Sequence, residues 1–288
     1  MNDHTKGLLI TLLGVLFVVP DSLFVRLIDA DALVIAFWRL LVSGLMIGVG
    51  ISLWQGLAPF RAVLGTGRYG LIFGAATGVS GVLFVLAVSL TSVANVVFII
   101  ASMPVFAALF SRIFLGEPIT RRTMLTILAV MTGLAIIAYG SGETAGANWR
   151  GDALALLLAA TFAAGLTAAR RVRNVSMVAA LPISYLVVTA GLFFIVDPLS
   201  VRASQAPLIV GHGAFIALSS IFLALGPRYI TSAEVSLLVL VESVTAPLLV
   251  WFVLGEDPGQ WALLGGAVVL STLFVSNLVA LRRRRRRI

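Results

Sequence analysis

Ile113-Phe114-Leu115-Gly116-Glu117-Pro118 and Phe252-Val253-Leu254-Gly255-Glu256-Asp257 each close a long apolar run with the same Leu-Gly-Glu. Lining up Glu117 with Glu256 lays the fourth and fifth apolar runs over the ninth and tenth, and a similar overlay sets Gly7 to Arg26 on Gly151 to Arg170. Reading outward from these copies, apolar runs fall near 7–26, 32–53, 69–88, 93–115, 121–139, 151–170, 178–197, 207–226, 232–254 and 260–281. A helix needs about 20 residues to cross a hydrocarbon core of roughly 30 Å, and runs of this length exclude barrel strands of about ten. Leu-Gly-Glu is short, and coincidence between two low-diversity apolar segments is the competing explanation of the match.

Composition points to lipid as the solvent. The 288 residues are 60% hydrophobic and 11% charged, with a mean hydropathy of +1.10, well outside the range of a water-soluble domain. Six of the charges behind the net +8 form one block, Arg282 to Arg287, directly after the last apolar run. There they read as an anchor facing anionic cytoplasmic lipid, so no nucleic-acid partner is expected. With no cysteine and two histidines, a disulfide framework, a thiolate nucleophile and a resident metal are not expected. No Gly-x-x-x-x-Gly-Lys-[Ser/Thr] phosphate loop is present, so no nucleotide cofactor is expected. The first apolar run is too long for a signal-peptide core and lacks a small-residue cleavage site, so it is read as a span.

Orientation follows from the basic residues. With the amino terminus inside, the inner loops receive Lys6, Arg61, Arg68, Arg112, Arg121, Arg122, Arg170, Arg171, Arg173, Arg228 and the terminal arginines, while the outer side receives Arg26, Arg150 and Arg202. This bias predicts both termini in the cytoplasm. Five spans per half is an odd number, so the halves enter the membrane in opposite senses, the usual build of secondary transporters. The expected fold is therefore an all-α membrane protein of ten transmembrane helices, two inverted-topology five-helix repeats around a central cavity. The expected units are 1–145, 146–281 and a basic tail at 282–288.

The doubled Leu-Gly-Glu, Pro104 ahead of its first copy, the Trp38-Arg39 pair and the ten runs with a basic tail resemble the drug/metabolite transporter superfamily, specifically its EamA-type permeases. The overall likeness is greatest to bacterial exporters of amino acids, aromatic ones included. That resemblance implies a small-molecule substrate, a place in the bacterial inner membrane and a cavity lined by spans 1, 3, 4, 6, 8 and 9; the sequence leaves the oligomeric state open, a monomer being one option. The second half departs from the first, with Glu242 and Ser243 standing where Met103 and Pro104 stand.

Ionisable groups inside a bilayer cost about 2.5–3.5 kcal/mol each by insertion scales, so each needs a reason. Counted at about 1.5 Å per residue, Glu242 lies roughly 16 Å above the inner boundary, Arg39 roughly 18 Å, and Asp21 and His212 roughly 21 Å. Asp21 and Arg39 are expected to form an ion pair between spans 1 and 2, or a gate. Glu242 is the candidate for a substrate ammonium or a proton, against a bland role as a neutral acid hydrogen-bonded to Ser243 or Thr245. His212, between Gly211 and Gly213, reads first as a packing residue and second as a substrate contact. Phe84, Phe98 and Phe162 are expected as apolar cavity walls; Ser80, Asn95, Glu242 and His212 as polar contacts; Met103 sits beside the kink. Pro104 would free the carbonyl of Ile100 and Pro247 that of Ser243, predicting kinks at matching places in the two halves. Gly70, Gly74 and Gly78, and Gly44 and Gly48, predict close helix contacts. Glu117 and Glu256 are expected to cap the helices that follow them.

Two other classes compete. Gly78-Val79-Ser80-Gly81 matches the Gly-x-Ser-Gly of intramembrane rhomboid proteases, with His212 as the base, though those two residues lie five spans apart. A non-transporting structural or lipid-handling protein is the third class.

Overall fold

The computed structural model describes residues 3–116, 119, 121–140, 147–172, 174–225, 229–230 and 232–285. Among them there is no strand. The helices are α1 (Asp3–Val18), α2 (Asp21–Leu27), α3 (Ala32–Gln55), α4 (Ala58–Leu64), α5 (Arg68–Leu90), α6 (Val93–Ile100), α7 (Met103–Leu115), α8 (Arg121–Gly140), α9 (Trp149–Arg171), α10 (Ala180–Leu192), α11 (Ala206–Leu225), α12 (Ser232–Leu254) and α13 (Gln260–Arg285). Among the described residues seven helical segments are long and apolar enough to cross a membrane, and Met177–Leu192, Leu238–Leu254 and Gln260–Ser276 are shorter apolar helices. The run expected at 178–197 stops being helical at Leu192, because two 3-10 turns, Pro198–Ser200 and Ala203–Gln205, carry the chain to α11.

Two expected spans are each made of two helices. Pro20 separates α1 from α2, and the pair Ala101-Ser102 separates α6 from α7, with Pro104 in the first turn of α7. A proline has no amide to give to the preceding turn and its ring crowds that turn's carbonyl, so the ladder breaks there. At the second break Ser102 closes the last turn of α6 twice, its N–H donating to Ile99 O at 3.0 Å and its Oγ to the same oxygen at 2.6 Å. The matching kink expected at Pro247 is not a break: α12 runs through it uninterrupted. Span 6, the counterpart of the broken span 1, is likewise the continuous α9, which has no proline between Trp149 and Arg171. Among the described residues, these two breaks lie in the first half.

Packing joins the halves. The most extensive contacts pair α5 with α9, α8 with α13, α3 with α10 and α1 with α11. Where helices approach closely, glycine makes room. A Cβ on Gly133 of α8 would sit 2.8 Å from Gly265 O, one on Gly265 of α13 would sit 2.6 Å from Gly133 O, and one on Gly78 of α5 would meet Ser184 Oγ at 2.6 Å. Gly74 O accepts the hydroxyl of Ser184, so the α5 stripe is a contact with α10. Gly44 of α3 faces Leu186 and Tyr185 of the same helix, whereas Gly70 meets only its own neighbouring turn at Thr66 and Val63.

The surface is what lipid requires. Phe252 is 90% exposed and Trp54 89%, while Asp21, Arg39 and His212 are buried. Water would reverse that distribution, since large aromatics dominate soluble cores and charges stay outside them.

Candidate functional site

Because α1 ends before Pro20, the chain restarts as α2 in the middle of the bundle with Asp21 as its first residue. Arg39 of α3 grips that carboxylate with both arms of its fork, Nε to Oδ1 at 3.0 Å and Nη2 to Oδ2 at 2.6 Å. From α11, His212 Nε2 lies 2.6 Å from Asp21 Oδ1. A carboxylate held by an arginine is an acceptor, so the imidazole presents its N–H there. The remaining arm of Arg39 reaches Gly81 O of α5 at 3.4 Å. Phe84 lies beneath the guanidinium, 5.4 Å from ring centre to Cζ, and Phe24 stacks on the His212 ring at 5.3 Å. Ser43 Oγ is 2.6 Å from Arg39 O and 3.0 Å from Gly213 O, tying α3 to α11 where a Cβ on Gly213 would run into Val42. Two charges taken out of water are tolerable only with geometry and further hydrogen bonds of this quality.

Glu242 of α12 is near enough to act electrostatically on both Asp21 and Arg39. Among the described residues, no hydrogen bond or ion pair reaches its carboxylate, and it is half-buried, open to a small solvent molecule. Its neighbour Ser243 turns away to Val97 O at 3.4 Å, and Thr245 bonds back to Val241 O at 2.7 Å, so the bland partnering by those two residues is not formed. The hydroxyls of Ser80 and Ser22 are buried and without partners. Tyr185 OH, which also acts on Arg39, pairs with Ser220 Oγ at 3.0 Å.

The expected walls are placed differently from one another. Phe84 is in the polar layer. The Phe98 ring instead fills the space left by Gly266 of α13, where an added Cβ would come within 2.5 Å of it, so it is interhelical filler. Phe162 lies on the exposed face of α9, and Met103 is half-buried at the start of α7. Asn95 is buried in a different cluster, its Nδ2 donating to Asp152 Oδ1 at 3.1 Å and to Thr91 Oγ1 at 3.4 Å. Sequence spacing along one helix could not separate these fates, because the helix facing each residue is set by packing. Ser80 Oγ makes no hydrogen bond and His212 Nε2 is held by Asp21, so the serine–histidine pairing that nucleophilic catalysis needs is not made.

Glu117 and Pro118 lie outside the described residues. Glu256 corrects the capping expectation. Its carboxylate takes Arg26 at the end of α2, with Nε to Oε2 at 2.8 Å and Nη2 to Oε1 at 3.1 Å, and Oε1 also accepts Val93 N at 2.8 Å. Gly255 before it holds φ +70°, as Gly116 does in the first copy, a conformation that side-chain-bearing residues avoid. Opposite charges assigned by topology to one membrane face were the signal that sequence reading left unused.

Residues 5–139 match the model of the EamA-like transporter family. The first half of this chain is similar to that family. The EamA-like unit therefore covers α1 to α8, the stretch that holds Asp21, Arg39 and the first Leu-Gly-Glu. A solved structure titled "Crystal structure of protein" is similar to nearly the whole chain, covering 97% of it and 99% of that chain at 18% identity and a TM-score of 0.68. At that identity the likeness speaks for the fold, which extends past the EamA-like match through the second half. No curated protein matches. The EamA-like match over residues 5–139 and the apolar helices among the described residues fit a multi-pass membrane protein, and the matched stretch is similar to transporters.

Proposed function

We propose that this EamA-like protein is a secondary transporter that exports amino acids or closely related small metabolites across a bacterial inner membrane by alternating access. Its ten apolar segments, seven long and three shorter, are two inverted five-helix repeats, 1–145 and 146–281, with both termini cytoplasmic. The pattern of neighbours supports this: α1 on α11 has its counterpart in α9 on α5, and the pairs α3 with α10 and α8 with α13 each map onto themselves when the halves are exchanged.

The observation that carries the reading is the polar layer inside an apolar bundle. Asp21, Arg39 and His212 satisfy one another, and the neighbouring carboxylate Glu242 is left over. A carboxylate at depth, open to a small molecule and unpaired among the described residues, suits the ammonium group of an amino acid. Phe84 offers apolar surface in the same layer, and Ser80 a hydroxyl with no partner among the described residues. Pockets of this kind are mostly apolar with a few placed polar groups.

The test is a counterflow screen in liposomes containing only this protein, with labelled amino acids and related metabolites supplied outside. Exchange of at least one amine-bearing solute, competed by its unlabelled form, is expected. Complete absence of exchange across the panel would remove the transporter reading in favour of a structural or lipid-handling role.

A further inference from the structure

The turn between α5 and α6 joins two apolar helices at a membrane face, where chain connections are ordinarily exposed. Here it is sealed: Thr91 has no exposed surface, and Ser92 through Asn95 are all buried. Three elements cover it. Arg26, ending α2, donates through Nη2 to Thr91 O at 2.9 Å; Glu256, following α12, accepts Val93 N at 2.8 Å; Gly151 of α9 lies so close that a Cβ there would be 2.6 Å from Thr91 Cβ. Beneath them Asp152 of α9 accepts from Thr91 Oγ1 at 2.8 Å and from Asn95 Nδ2 at 3.1 Å. The ends of spans 1, 3, 4, 6 and 9 thus converge, and the Arg26–Glu256 pair is the tie between the first half and the segment after α12.

We propose that Arg26 and Glu256 are positioning residues of the transport cycle, a latch whose closure seals this end of the bundle and whose opening admits water and solute from that face. The proposal rests on the transporter reading above. Two observations separate this pair from the deeper one. The Arg26 and Glu256 side chains are 24% and 26% exposed, so both ions have water to move into when they part, whereas Arg39 and Asp21 at 8% and 2% do not. Partly solvated pairs are worth little and exchange readily; buried pairs are strongly destabilised by losing a partner. Ser22 lies one helical turn from Arg26 on the same face of α2, buried, and its hydroxyl has no hydrogen-bond partner among the described residues. Parting of Arg26 from Glu256 would give water a path to that hydroxyl. In the overlay of the two halves Arg26 falls on Arg170 and Glu256 on Glu117, so each latch residue has a like-charged counterpart in the sequence of the other half.

The chain has no cysteine, so Arg26→Cys with Glu256→Cys places its only thiols at the latch. In proteoliposomes, counterflow of the solute found for the native protein is expected while the thiols are reduced, to fall to background when they are joined by a short reducible cross-linker, and to return on reduction. Flux unchanged by cross-linking overturns the latch. A readout independent of transport uses Ser22→Cys alone, with its rate of reaction with a maleimide. Adding Arg26→Gln or Glu256→Gln is expected to raise that rate about two- to tenfold, and the exchange Arg26→Glu with Glu256→Arg to lower it again. Rates indifferent to the three backgrounds also overturn the latch. If the native protein moves no solute but Ser22→Cys labelling follows the charges, the transport reading fails and the closure survives.

Discussion

At the scale of residues, Asp21 has two tightly held partners and Glu242 nearby has none among the described residues. That asymmetry separates structure from function in the polar layer. Arg39→Gln and Asp21→Asn each strand a buried polar group, and each is expected to lower stability by about 3 kcal/mol, with the double variant costing less than the sum of the two. Thermal unfolding in detergent measures it; additive losses would mean that the pair contributes nothing as a pair. Glu242→Gln keeps the shape and removes a charge that no described group balances. It is expected to leave stability near that of the native protein while reducing exchange of amine-bearing solutes tenfold or more, since a charged hydrogen bond is worth about 1.5–3 kcal/mol. Unchanged exchange and pH profile would take Glu242 out of the mechanism.

At the scale of helices, breaks and glycines divide the labour. Pro20 places Asp21 at the head of a new helix inside the bundle, and Pro104 follows the Ala101-Ser102 break. Pro20→Ala is expected to let α1 and α2 join, turning Asp21 off Arg39 and His212, with exchange lost although the protein still inserts. The α8–α13 contact is expected to be the least forgiving of added volume, because Gly133 and Gly265 face each other's backbone carbonyls. Gly133→Ala should therefore destabilise by about 1–3 kcal/mol, whereas Gly50→Ala, with nothing within 4 Å of the added carbon, should be neutral or slightly stabilising. Equal melting temperatures for the two variants would contradict the packing described here.

At the scale of the molecule, the distribution of basic residues predicts sidedness. A reporter fused after Arg287 is expected to be active only in the cytoplasm, and a Cys replacing Arg150 to react with an impermeant thiol reagent from the outside. The opposite pattern at either site would break the inverted arrangement, because an odd number of crossings per half leaves no freedom to flip one end alone.

Much of this was legible from residues alone. Lipid as solvent and the positions of most apolar runs to within a few residues follow from composition, run length and charge, because the bilayer forces backbone satisfaction inside each segment, and the EamA likeness of the first half was carried by its resemblance in motif. Which side chains meet did not follow. His212 joining Asp21 across α11 and α2, Phe98 filling the hollow at Gly266, Asn95 turning to Asp152, Glu256 reaching Arg26 and the uninterrupted course of α12 through Pro247 all depend on how helices rotate and approach. Those are settled by interhelical packing between residues far apart in the chain, and no local pattern encodes them.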